Sequence, residues 1–440
     1  MSNSVHEIRD PIHTFVRLDS DERAVVDSLP FQRLRHVHQL ALTYLVYPGA
    51  THRRFEHSLG VLELASRVFD VVTAPGNIRD DVAERLPPIR DLEKRQHWRR
   101  VLRAAALCHD LGHLPFSHAA EKDLLPDGWT HERLTAEIIR SDQMKGLWDA
   151  MSPPLPVDQI VKLAVGPEAS GLQLSDWEAV LSEILVADAF GVDRMDYLLR
   201  DAHHVGVPYG SFDHYRLIDT LRILPSPGKT DQRPSTEPAM GVQEGGRQSA
   251  EALLLARYFM YSQVYLHRVR RIYDIHLRDF LAKWLPEGRF PTSPGSFLGL
   301  TDNEVAAAIA DAAVAPTAPG HDAARRIAQH DHFRVLYERH PSDVSVNPDA
   351  AIQVSQWAAD RFGDDNVRFD TYKAREESAD FPVETRDGRI VPSVTVSDVI
   401  ARLPPLAIDY VFVRPELKDQ ATALLEEQRQ VIIKPKDEDQ

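Results

Sequence analysis

The stretch Leu107 to His118, LCHDLGHLPFSH, constrains this chain more than any other, because three histidines and an aspartate close an apolar helical run, VLRAAALC. A helix carrying Val101, Leu102, Ala104, Ala105, Ala106 and Leu107 is built for a core. His109 and Asp110 are then buried with it, and buried polar groups demand partners. A divalent cation is a partner that suits both, since imidazole and carboxylate together fit Mn, Fe, Zn or Mg-type centres. Two ligands do not make a site. His57 in HRRFEHSLG, flanked by Phe55 and Leu59, and Asp193 in FGVDRMDYLLRD, among Phe190, Val192 and Met195, lie on separate helices. Each reads either as a satisfied core residue or as a further ligand. The other His-Asp pairs, His321-Asp322 and His330-Asp331, read as capping or a solvated face.

The chain has 440 residues, 43% of them hydrophobic, enough for one large core or two moderate ones. No apolar run approaches the roughly 18 residues of a membrane span, and the opening MSNSVHEIRD lacks a signal-peptide apolar region. With a single cysteine, Cys108, the chain reads as soluble and cytoplasmic. A net charge of −15 argues against nucleic acid as the main partner. The pattern predicts a mainly α fold: a helical core over 1–285 and a smaller α+β region over 286–440, packed on the core and involved in oligomerisation. Short strands are expected around Asp10-Pro11. Helices are expected from Ser20 through about Leu40, over RRFEHSLGVLELASRVFDVV, from Trp98 to Gly112, and at about 131–145, 156–166, 175–202 and 250–284. Leu224–Gly246 reads as a turn-rich excursion, and NVRFDTYKAR and IDYVFVRPE as β-prone.

Several residues gather around the four polar ones. Arg54 precedes His57 by three positions and shares its helix face, and a guanidinium suits a bidentate phosphate contact. Arg53 points away and reads as a surface charge. His113 follows His109 by four, on the same helical face. His118 stands three before Glu121, which suggests either a histidine oriented by a carboxylate or one hydrogen-bonded at a helix start. Asp193, Tyr197 and Asp201 fall at i, i+4 and i+8, one stripe running to a pocket mouth; by spacing alone Tyr197 reads as core.

The ordered set HRRFEHSLG, CHDLGHLPFSH, WTHE and VDRMDYLLRDAHH, with DPIHTFVRLD and FQRLRHVHQL upstream and YFMYSQVYLHR downstream, resembles the HD-domain phosphohydrolases, specifically their deoxynucleoside triphosphate triphosphohydrolase branch. The resemblance covers about residues 5 to 280 and, more loosely, LPPLAIDYVFVRPE. It implies an HD-domain helical core in which His57, His109, Asp110 and Asp193 bind one divalent transition metal (Mn, Fe or Zn), with Mg carried on the nucleotide triphosphate. It implies that His118, its acidic neighbour, His113, His131 and Arg54 act at the phosphate, with Glu121 where the family has Asp. Arg194 stands where a phosphate-contacting lysine is found. Gln39, Leu40, Tyr197 and Asp201 are implied to touch the sugar, and Gln263 and His267 to close the pocket. The expected reaction releases inorganic triphosphate from a dNTP; the alternatives are an HD nuclease, phosphodiesterase or nucleotidase, or a nucleotide-binding regulator. Relatives also suggest a homo-oligomer, dimer to hexamer with a tetramer favoured, and an activating guanine site at Asp27, Gln32 and Arg35. In that reading His6 replaces a phosphate-binding lysine; otherwise the three residues cap and cross-link a surface helix.

Overall fold

The computed structural model describes residues 5–117, 121–226, 237–374 and 380–434. It is mainly α with small sheets. The chain forms two units, the first made of Met1–Met260, Arg289–Val305 and Glu377–Leu403, the second of Tyr261–Gly288, Ala306–Glu376 and Pro404–Gln440. In place of the one boundary expected at 285/286, two later segments return to the first unit. There Phe297 joins the core, and the strands Pro382–Glu384 and Ile390–Pro392 extend the hairpin Leu221–Pro225/Pro238–Gln243.

The first unit opens with the antiparallel pair His6–Asp10 and Thr14–Leu18, in register Asp10 to Thr14. Asp10 Oδ1 closes the turn by accepting from the amides of Ile12 and His13, both at 2.8 Å. The single helix expected after Ser20 is instead Ser20–Val26, Leu29–Arg33 and a 3₁₀ turn Leu34–His36. Asp19, with Glu22, forms the capping box of the first piece, and Pro30 fits only the opening turn of the second. The helix Arg54–Val72 buries 14 of its 19 residues. It packs on Leu92–Cys108 and on Val192–Val205. At that last contact Gly60 is obligatory, because a Cβ there would lie 1.9 Å from Asp196 Oδ1.

The helix preceding His109 starts earlier than expected, at Leu92 under an Asp91 cap, and ends at Cys108. Two further predicted helices are broken in two, and a third, expected over 156–166, runs on beyond a kink at its predicted end. His131–Arg140 and Asp142–Ala150 meet at Ser141, Asp176–Val186 and Val192–Val205 are separated by a turn, and Val157–Ser170 kinks at Gly166, which has φ of 72°. The 224–246 excursion has strands at its flanks, and its 227–236 portion lies outside the described residues.

In the second unit the strand Ala407–Val413 is central, antiparallel to both Arg334–Glu338 and Val367–Lys373. Side chains alternate between the faces of a strand. Val411 and Val413 pack with Val354, Ala358 and Leu425 of two helices, while Tyr410 and Phe412 pack with Ile272 and Ile275 of the helix Arg268–Trp284. The expected helix 250–284 is interrupted by a π turn, Tyr261–Tyr265, where the chain changes units.

A candidate metal centre

His109 caps the end of its helix, and Asp110 begins the turn that follows. Both remain buried, as is His57 on the helix Arg54–Val72; Asp193, in the first turn of Val192–Val205, is partly exposed. His57, His109 and Asp110 each offer a ligand atom within 4.8 Å of the others. Asp193 Oδ1 completes the group, 3.0 Å from His57 Nε2 and 3.6 Å from His109 Nε2.

The donor and acceptor roles define what the group can hold. His109 Nδ1 lies 2.8 Å from the carbonyl oxygen of Ala106, which can only accept, so this nitrogen carries the proton. The other, Nε2, is buried and makes no hydrogen bond among the described residues; its neighbours there are the Asp110 and Asp193 carboxylates, acceptors themselves. His57 repeats the arrangement. Its Nδ1 faces Asp196 Oδ2 at 2.8 Å, while Nε2 faces Asp193 and, at 3.7 Å, Asp110. Both Nε2 atoms and two carboxylates thus converge: His57 Nε2 lies within hydrogen-bond distance of Asp193, Arg54 donates to Asp110, and His109 Nε2 is left with no hydrogen-bond partner among the described residues. A cation satisfies all four, and the residues present fit a divalent metal.

The electrostatics agree. Burial opposes charge on His57, but hydrogen bonds to Asp193 and Asp196 override it and raise the ring to about 10. His109 also rises, burial being outweighed by the neighbouring Asp110. Despite desolvation, Arg54 and the histidines hold Asp110 well below the usual carboxylate range. The unit attracts positive charge to this point.

The sequence reading missed Asp196. Fully buried, it accepts from His13 Nε2 at 2.7 Å, from His57, and from Arg200 Nε and Nη2 at 2.8 and 3.0 Å, and Arg200 in turn reaches Asp10. A ligating histidine ordinarily gives its second ring nitrogen to a carboxylate, so the signal was a second aspartate one turn from Asp193.

Around the cluster, Arg54 donates to Asp110 Oδ2 at 2.6 Å and to Ser117 Oγ at 3.1 and 2.8 Å. The helix ends before His113, so His113 does not share a helical face with His109; it reaches Asp110 at 3.1 Å through the turn. Burial and Arg54 keep its ring neutral, well below the ordinary histidine value. His131 stacks on it, ring centroids 4.1 Å apart. Gly112 permits this approach, since a Cβ there would lie 2.2 Å from the His131 carbonyl oxygen. Glu121 accepts from the amide and Nδ1 of His131, at 2.8 and 2.7 Å; His118, the partner expected from spacing, lies outside the described residues. Against burial, Glu121 and Glu132 raise the His131 ring.

The remaining expected residues are spread more widely. Arg194 contacts the Asp188 and Ala187 carbonyls and the Tyr197 hydroxyl. Asp201 is not at a pocket mouth: it is 1% exposed and paired with His52 Nε2 at 2.6 Å. Gln39 and Leu40 are buried, with Gln39 Oε1 unpartnered among the described residues. Gln263 and His267 belong to the second unit, the former in the π turn and the latter capping Arg268–Trp284. Asp27 pairs with Arg23, and Arg35 donates to Gln32 and lies over the Phe55 ring. Arg53 is half-buried rather than a free surface charge, with Nη1 enclosed. Among the described residues, no helix is long and apolar enough to cross a membrane.

A helical unit with a buried His/Asp metal-type centre is the class these features define. The HD-domain model matches residues 54–164, and that of the HD associated region residues 212–354. The chain belongs to the HD-domain family. A hypothetical protein from Aquifex aeolicus, solved by crystallography, matches with a TM-score of 0.77 and 31% identity over 96% of this chain and 100% of that one. An uncharacterized protein of Methanocaldococcus jannaschii is 34% identical over 64% of this chain and 50% of its own length. The deoxynucleoside triphosphate triphosphohydrolase SAMHD1 of Homo sapiens is 31% identical over 63% of this chain and 44% of its own. The chain thus spans about half the length of the curated relatives it matches.

Proposed function

We propose that this chain hydrolyses deoxynucleoside triphosphates to the deoxynucleoside and inorganic triphosphate. The observation that carries the reading is the convergence of His57, His109, Asp110 and Asp193 on one point, where buried His109 Nε2 faces only carboxylates among the described residues; the likeness to SAMHD1 supplies the substrate class. A transition metal held there would supply Lewis acidity at the α-phosphate. Arg54 and Arg194 would provide cationic contacts for the oxygens of the Mg-bearing triphosphate. Water adds to the α-phosphorus, the bond to the 5′-oxygen breaks, and that oxygen takes up a proton. His131, shifted toward its protonated form by Glu121 and stacked on His113, is suited to give that proton, and His118 is a second candidate. Tyr197 and Gln39-Leu40 would pack on the sugar. Asp201 would address the 3′-hydroxyl once released from His52.

Assembly into a homo-oligomer, and a purine nucleotide bound by Asp27, Gln32 and Arg35, belong to the same proposal. The base would replace Arg23 at Asp27 and Gln32 at Arg35. Incubation with each dNTP and NTP in Mn²⁺ or Mg²⁺, with the phosphate product identified by ³¹P NMR, tests the reaction. Intact triphosphate from dNTPs is expected. Release of pyrophosphate or orthophosphate, or equal rates on ribonucleotides, would replace it with another phosphoester hydrolase.

A further inference from the structure

The turn that follows the His-Asp motif is held from far away in the chain. Phe116 and Ser117 have φ of 55° and 61°, the left-handed region that non-glycine residues avoid. Two such residues in succession persist only where their surroundings enforce them. Asp302, in the returning segment Arg289–Val305 of the same unit, supplies that enforcement. Its Oδ1 accepts the Phe116 amide at 2.7 Å, and its Oδ2 accepts both the amide and Nδ1 of His38, at 2.7 and 2.5 Å. The carboxylate is 3% exposed, so these are strong charge-assisted bonds. His38 in turn stacks on the Phe116 ring at 5.8 Å, and its carbonyl accepts from Ser117 Oγ at 3.1 Å. Ser117 Oγ is the atom that receives Nε and Nη2 of Arg54. Arg33 makes a second tie between the same segments, donating to the carbonyls of Leu300 and His113, both at 3.0 Å.

We propose that Asp302 is a positioning residue for the candidate centre: by clasping His38 and Phe116 it holds the Phe116–Ser117 turn, and through the Ser117 hydroxyl it aims the Arg54 guanidinium. The part concerning catalysis rests on the hydrolase reading above; the part concerning geometry does not. In Asp302→Asn one acceptor becomes a donor facing N–H groups, so the clasp cannot close. Displacing a charged group by about 1 Å lowers a rate by about 100-fold.

The test has two arms. Native-state hydrogen exchange on the unmodified protein should find the Phe116 and His38 amides as protected as those of the helix Leu92–Cys108, and an exposed Phe116 amide would overturn the proposal with no variant needed. In the kinetic arm, Asp302→Asn is expected to keep the parent metal content and to lose about ten- to 100-fold in kcat. The neighbouring Asn303→Ala should be unchanged. Because Asp302 is held to act through Ser117, the double variant with Ser117→Ala should be no slower than the slower single variant. Multiplying losses, or an unaltered Asp302→Asn rate, would refute the relay. If the parent does not hydrolyse dNTPs at all, the substrate reading fails, and the exchange arm still decides the role of Asp302.

Discussion

Two clusters of buried histidine and carboxylate lie one helical turn apart on Val192–Val205, and they differ in how their hydrogen bonds close. Around Asp196 acceptors meet donors: His13, His57 and Arg200 all point at one carboxylate, and Asp10 takes the other side of Arg200. At His109 Nε2 an acceptor meets acceptors. Burial and residue type are shared, so neither marks the functional site. What separates a scaffold from a ligand site is the proton ledger, read nitrogen by nitrogen.

That contrast is broken most severely by removing acceptors from the open cluster. His109→Ala combined with Asp110→Ala should abolish metal content and lower hydrolysis by about 1000-fold or more, while the chain stays folded. Metal analysis beside circular dichroism decides, and a metal-bearing variant would contradict the assignment. The closed cluster should respond differently. Asp196→Asn withdraws the charge that faces His57 and Arg200, so metal affinity should drop about ten- to 100-fold, and stability by about 3–5 kcal/mol, the usual cost of breaking a buried ion pair. Competition with a chelator and a urea melt measure the two separately; loss of stability with unchanged metal affinity would make Asp196 a purely architectural residue.

A smaller effect is expected at Glu121. This carboxylate raises His131, and the reading requires a protonated His131, so the rate falls as pH rises through the pKa of that ring. In Glu121→Gln the pKa drops, and the alkaline limb of kcat should move to lower pH. A limb that stays in place would assign the proton to another group. A last effect concerns only stability, in the second unit. Burial, with Arg326, Arg368 and His332 nearby and Asp322 opposing, pushes His276 down to about 3, and its neutral Nε2 accepts the Phe333 amide at 3.2 Å. The folded ring stays neutral where the unfolded ring takes a proton. Stability from this group is therefore full above about pH 6.5 and falls toward pH 3, by at most about 1.4 kcal/mol per pH unit. His276→Gln should flatten that slope in pH-dependent melts.

The parts of this molecule legible from its residues are those where one element carries the whole signal. Polar groups closing an apolar helix pointed to His109 and Asp110, and alternation in IDYVFVRPE pointed to the central strand Ala407–Val413. Where the signal is divided between distant segments, it was lost. Local spacing offered no link between Glu121 and His131, ten residues on, yet Glu121 accepts from the amide and Nδ1 of His131. Asp302 resembles any acidic residue in a first helical turn until the two segments it clasps are seen together. Helix lengths were overstated for a related reason. Periodicity runs on through Asp27-Ser28 and residues 187–191, while the backbone breaks there; at Gly191, for instance, a Cβ would lie 2.7 Å from the Ala187 carbonyl oxygen.

The central claim is that the unpartnered His109 Nε2, facing carboxylates, marks the cation site. Anomalous diffraction from crystals of the purified protein, collected at the absorption edges of Mn, Fe and Zn, tests it most directly. The account predicts one strong peak per chain bounded by His57 Nε2, His109 Nε2, Asp110 and Asp193. A cluster without a peak in metal-replete protein, or a peak confined to the Glu121, His131 and Glu132 group, would contradict it.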